Sequence, residues 1–174
     1  MTSWNFDPAH SEIGFRVRHM MFSKVRGSFE SWTGEFIFDP EDFSKSKTTV
    51  TIDASSITTS NEDRDNHLKS GDFFDTEKFP HLRFESTSFE AVGDGKLKLH
   101  GELTIKDVTQ PLTLDVEYHG KAVDPWGNDR VGFSATGSIH RKDFGLTWNQ
   151  ALEAGGVLVG DKVEIDLQVQ AVKG

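Results

Sequence analysis

Over much of this chain, apolar and polar residues exchange places at every step. A period of two marks strands with one buried and one wet face. Ile13, Phe15, Val17 and His19 share one parity, against Glu12, Arg16 and Arg18. Val25, Gly27 and Phe29 follow, and then the parity shifts. Trp32, Gly34, Phe36 and Phe38 carry the pattern to Asp39-Pro40. A shift inside one strand predicts a β-bulge, which inserts one unpaired residue. Further runs are Val50, Ile52, Ala54; then Leu82, Phe84, Ser86; then Leu97, Leu99, Gly101, Leu103, Ile105. The last three are Leu112, Leu114, Val116, Tyr118; Val131, Phe133, Ala135, Gly137, Ile139; and Val163, Ile165, Leu167, Val169, Ala171. With 25–38 taken as one bent strand, the chain has eight segments. Gly93-Asp94-Gly95 predicts a hairpin turn, and the short connections predict antiparallel neighbours.

Two interruptions read as helical. Ser60 precedes an acidic first turn and Gly71 follows, which predicts a short helix around 61–70. Met20-Met21-Phe22 reads as a helical turn, and 141–156 as loop with some helix. Eight antiparallel strands with one apolar face each make a closed barrel or a sandwich. Closure removes exposed edges, and eight strands can hold one small ligand. Small residues on the inward series (Gly101, Ala135, Gly137, Ala54, Ser86) favour a cavity over a solid core.

The 174 residues fit one domain, 1–174, which needs no disulfide or metal staple. The absence of cysteine excludes disulfides, thiolate metal sites and cysteine nucleophiles. A net charge of −9 argues against nucleic acid, and against an anionic membrane surface for the chain as a whole, while leaving room for a local basic patch. No stretch is long and apolar enough for an integral membrane helix. No basic-then-apolar leader follows Met1, which predicts a cytoplasmic protein unless a leader has been removed. The 14 Phe and 4 Trp, against 1 Tyr, are apolar aromatic surface that must be placed somewhere.

No phosphate loop, dinucleotide fingerprint, nucleophile elbow or His-Glu-x-x-His is present. The expectation is therefore a non-enzyme with no cofactor and no metal. His100, His119 and His140 fall opposite the apolar parity and should face solvent. His19 ends an apolar face, either as a hydrogen-bonded strand end or as a polar group fixing a ligand's head at a cavity mouth. Arg141 and Asp143 could form an ion pair or place a charge at the rim. His67 could cap the helix-to-barrel contact or touch ligand. Phe144 and Trp148 could plug one barrel end or line an entrance.

Five stretches, in this order, resemble the YceI-like family of polyisoprenoid-binding proteins over nearly the whole chain. They are Phe15-Arg16-Val17-Arg18-His19, Val25-Arg26-Gly27-Ser28-Phe29, His67-Leu68-Lys69-Ser70-Gly71-Asp72-Phe73-Phe74-Asp75 with Phe79-Pro80, Leu103-Thr104-Ile105-Lys106-Asp107-Val108-Thr109, and Arg141-Lys142-Asp143-Phe144-Gly145. The resemblance implies an all-β, extended eight-stranded antiparallel barrel of lipocalin-like form with an apolar tunnel. It implies an amphiphilic long-tailed ligand such as a prenyl quinone or polyprenyl phosphate, a carrier or storage role, and a homodimer. The tail would meet Phe15, Val17, Phe29, Phe36, Phe84, Phe133, Ala135, Ile139, Phe144 and Trp148. The head would meet His19, His67 and Arg141. Asp107 stands where many relatives carry Gly. Two other readings stay open: an enzyme using His19 with Arg141 or Asp143 on a lipid head, and an interaction module whose aromatics serve an interface.

Overall fold

The computed structural model describes residues 2–20, 22–149 and 158–174. Among them eleven strands form one sheet: β1 (Thr2–Phe6), β2 (Glu12–His19), β3 (Ser23–Phe29), β4 (Trp32–Phe38), β5 (Lys47–Asp53), β6 (Ile57–Thr58), β7 (His81–Gly93), β8 (Lys96–Ile105), β9 (Val108–Val123), β10 (Asp129–His140) and β11 (Val159–Lys173). One helix, α1 (Glu62–Lys69), lies between β6 and β7.

The eleven strands make eight staves. β11 pairs with β1 near its end, Phe6 opposite Ala171, and with β2 nearer its start, Phe15 opposite Ile165. β4 continues β3, pairing with β1 as β3 pairs with β2. β5 and β6 continue one another in the same way, along β4 and β3. β7 to β11 are unbroken, and the staves close into an eight-stranded antiparallel barrel. Its upper end holds His19, α1 and the start of β11. Its lower end holds Phe38 and the Gly93-Asp94-Gly95 turn, where Gly95 has φ 66°.

The long second stave bends at 30–31, as its parity shift predicts, but the device is not a one-residue bulge. All three N-terminal staves break at one level, the first and third through 3₁₀ turns at Pro8–His10 and Ala54–Ser56. Breaking together lets the freed backbone groups satisfy one another. Glu30 N–H donates to the Ser56 carbonyl (3.2 Å) and Asp53 N–H to the Ser31 carbonyl (2.9 Å).

Several local expectations need correction or refinement. The α1 cap is Asn61, whose side chain accepts from Arg64 N–H, while Ser60 turns left-handed (φ 61°). The helix ends on Ser70, not on Gly71, with the Ser70 hydroxyl donating to the His67 carbonyl at 2.6 Å. Met20 has φ 52° in the β2–β3 connection, where His19 faces Ser23; Met21 lies outside the described residues. In the β8–β9 turn the left-handed residue is Lys106 (φ 59°), so Asp107 needs no glycine-like conformation. The 141–156 segment begins as a 3₁₀ turn, Arg141–Phe144, and 150–156 lie outside the described residues.

Aromatic rings seal the lower end. Phe38 is fully buried and sits within 5.0–5.6 Å, ring centre to ring centre, of Phe36, Phe43, Tyr118 and Phe133. Trp4 closes the cluster from β1, its indole N–H donating to the Phe38 carbonyl at 3.3 Å. The inward glycines do not make empty space. Each lies beneath a neighbour's side chain: Gly27 under Phe15, Gly34 under Phe6, Gly101 under Phe84 and Gly137 under Leu114. Those side chains occupy the space a Cβ would take. A Cβ at Gly101 would stand 2.4 Å from the Phe84 ring and 2.6 Å from the Glu85 carbonyl. Gly101→Ala is expected to destabilise the barrel by about 2 kcal/mol, read as a lower urea midpoint at unchanged slope.

Candidate functional site

Inside the barrel runs a cavity of ≈ 350 Å³. Apolar residues from every stave line it, from Phe6, Phe36 and Phe133 below to Val17, Leu158 and Val159 above. Along β11 the lining extends from Val159 to Val169. Ten rises of ~3.4 Å, tilted by roughly 40°, give a lumen on the order of 25 Å long.

The few polar lining residues are unevenly placed. Thr48 lies low in the wall, while His19, Thr59, Arg64, His67 and Arg141 gather at the upper end. Strand and helix ends put them there. His19 ends β2, and Arg141 follows the last residue of β10. Arg64, His67 and Leu68 share the inner face of α1 at the i, i+3, i+4 spacing. Arg64 is braced by Thr59: its Nε donates to the Thr59 hydroxyl (2.7 Å) and Nη2 to the Thr59 carbonyl (2.8 Å). His67 Nε2 lies 2.8 Å from an Asp72 carboxylate oxygen. Its ring meets Trp148 edge-on at 4.6 Å and Phe73 at 5.2 Å.

Arg141 is 3% exposed and forms no ion pair with Asp143 among the described residues. Its guanidinium instead donates to four main-chain carbonyls. Nη1 reaches Leu146 (2.6 Å) and Trp148 (2.9 Å), Nε reaches Gly160 (2.8 Å) and Nη2 reaches Val159 (3.2 Å). Burial lowers its pKa, partly offset by the Asp161 charge. The side chain therefore staples the segment carrying Trp148 to the start of β11.

The cavity brings together nine of the ten residues expected to meet a tail: Phe15, Val17, Phe29, Phe36, Phe84, Phe133, Ala135, Ile139 and Trp148. It also includes His19, His67 and Arg141. Phe144 is the exception. It lies in the 3₁₀ turn, is 2% exposed and belongs to the packed core outside the lining. Sequence reading missed Arg64, Leu68, Trp32, Phe74 and Leu158 among the lining. The helical spacing of Arg64 with His67 and Leu68 was the available signal.

The model of the YceI-like domain matches residues 4–171 of this sequence. The chain belongs to the YceI-like family. A UPF0312 protein of Staphylococcus aureus is 44% identical over 171 residues, covering 98% of this chain and 97% of its own. The solved Campylobacter jejuni YCEI protein is 34% identical, with a TM-score of 0.77 over 97% of this chain and 96% of that one. Burkholderia cenocepacia BcnA shares the fold, with a TM-score of 0.84 at 22% identity over 95% of this chain and 99% of that one. So does a polyisoprenoid binding domain from Saccharophagus degradans, with a TM-score of 0.71 at 14% identity over 100% of both chains.

The YceI-like stretches in this sequence have physical roles. In 141–145, Arg141 staples, Phe144 is buried in the core, and Gly145 ends the turn left-handed at φ 77°. In 67–74, His67 and Leu68 face the cavity, Ser70 caps α1, and Phe74 packs edge-on against Phe29 at 6.0 Å.

Proposed function

We propose that this protein binds one amphiphilic isoprenoid-class lipid, tail in the barrel and head at the upper end, as a carrier or storage protein. The observation that carries the reading is the polarity of the cavity. It is apolar along its length, sealed below by the Phe38 cluster, and polar at the upper end. A volume of ≈ 350 Å³ is typical of small-ligand pockets. Spread over on the order of 25 Å, it suits a single narrow chain better than a bulky ring system. Burying such a tail contributes ~0.8 kcal/mol per methylene-sized group, before the cost of association. Membership of the YceI-like family and the fold shared with the Saccharophagus polyisoprenoid binding domain support the same reading. The open lumen favours this reading over a pure interaction module, which would have a dry, fully packed barrel.

The test is a thermal shift on delipidated protein. A prenyl quinone at 100 times its dissociation constant contributes ~2.7 kcal/mol, and at about 2–4 °C per kcal/mol Tm should rise by about 5–10 °C. No rise with any long-tailed lipid contradicts the proposal.

A further inference from the structure

The β2–β3 hairpin has three distinct surfaces. Its inner face, with Phe15, Val17, His19 and Val25, lines the cavity. Its tip is apolar and open: Phe22 is 91% exposed and Met20 43%. Its outer face is basic, with Arg16 opposite Arg26 and Arg18 opposite Lys24. From Ile13 to Phe29 there are four cations and no acid, in a chain with 28 acids and a net charge of −9. Beside it, β11 adds exposed Lys162 and two carboxylates, Glu164, shared between Arg16 (3.4 Å) and Lys24 (3.1 Å), and Asp166, opposite Gly14 at the far end from the tip. Asp161, also on β11, is held by His140 at 2.8 Å. Arg26 is exposed and meets no carboxylate among the described residues.

An exposed phenylalanine has nothing to gain from water, and a local positive field on an acidic protein favours an anionic partner. Apolar anchors beside lysine and arginine are the combination that holds proteins in a headgroup layer. We propose that the tip of the β2–β3 hairpin docks on the surface of an anionic phospholipid bilayer, Phe22 entering the headgroup region and the basic outer face meeting lipid phosphates. Because the inner face of the same hairpin is cavity wall, docking sets the upper, polar end of the cavity against the membrane. The docking itself rests on the hairpin and not on the lipid-binding reading; only a role in loading would need both. Whole-chain charge hides this patch, since most of the acids lie elsewhere.

The experiment is flotation of the full chain with vesicles of phosphatidylcholine, with and without phosphatidylglycerol, at low and high salt. Binding is expected only to phosphatidylglycerol vesicles, and it should fall at high salt as charges are screened. Phe22→Ser and Arg26→Glu should each weaken it about tenfold or more. Neither residue lines the cavity, so the Tm of each variant and its thermal shift with prenyl quinone should stay at wild-type values. That separates failure of docking from failure of lipid binding. Absence of the wild-type protein from phosphatidylglycerol vesicles, or full binding by both variants, overturns the proposal. So does a Phe22-dependent dimer that does not float, which would assign the tip to a second copy of the chain.

Discussion

Arg141→Met is expected to lower stability by about 3 kcal/mol and Tm by about 6–12 °C. Methionine has similar length and fills the space, so the loss is of donors and not of volume. Four carbonyls from two segments would lose their shared donor: Leu146 and Trp148 on one side, Val159 and Gly160 on the other. The Leu146 bond is buried, so its carbonyl would be orphaned outright, while the others could recruit water. Arg141→Lys should recover only part of the loss, because three donors on one nitrogen cannot span both segments as a planar fork does. The functional consequence follows from Trp148. With its segment tied less firmly to β11, where the Asn149 side chain still pairs with Val159, the His67–Trp148 contact loosens and a bound lipid should leave faster, measurable as a raised off-rate in a stopped-flow transfer assay. Wild-type Tm and off-rate in Arg141→Met would show that the staple is dispensable.

The largest functional effect is expected from Ala135→Phe. Ala135 lies midway along β10, facing inward between Val116 of β9 and Leu167 of β11. It lines the cavity, so a phenyl ring there extends into open lumen. Displacing about four methylene-sized groups of tail forfeits ~3 kcal/mol, or affinity about 100-fold. Stability should change little, since the ring enters space the tail would otherwise occupy. A short-tailed analogue that ends above Ala135 should lose much less. Equal affinity of wild type and variant for the long-tailed lipid would place the tail elsewhere.

Much of this architecture is written in the alternation. Eight staves follow from parity because one-sided burial forces period two, and the resemblance in five stretches selects a barrel over a sandwich. Other features left weaker traces. β1 has only Trp4 and Phe6 to show before Pro8, too short a run to separate from a tail. The 30–31 break shows as a parity shift, but its matching breaks in the neighbouring staves are properties of pairing. The small inward residues pointed toward a cavity for an incomplete reason. Gly101 and Gly27 accommodate the rings of Phe84 and Phe15 and do not leave holes, a relation between strands that no single segment reveals. Phe144 and Trp148 sit four residues apart, yet one is core and the other cavity wall, because the left-handed Gly145 turns the chain between them. Arg64 carried a signal in its spacing with His67 and Leu68, obscured by the acids around it.

The most direct test of the central claim is native mass spectrometry of the protein purified without detergent. One bound lipid per barrel is predicted, released at raised collision energy with the mass of a long-tailed isoprenoid. It should be absent from Ala135→Phe. A wild-type spectrum of bare protein that stays bare after incubation with prenyl lipids would contradict the account.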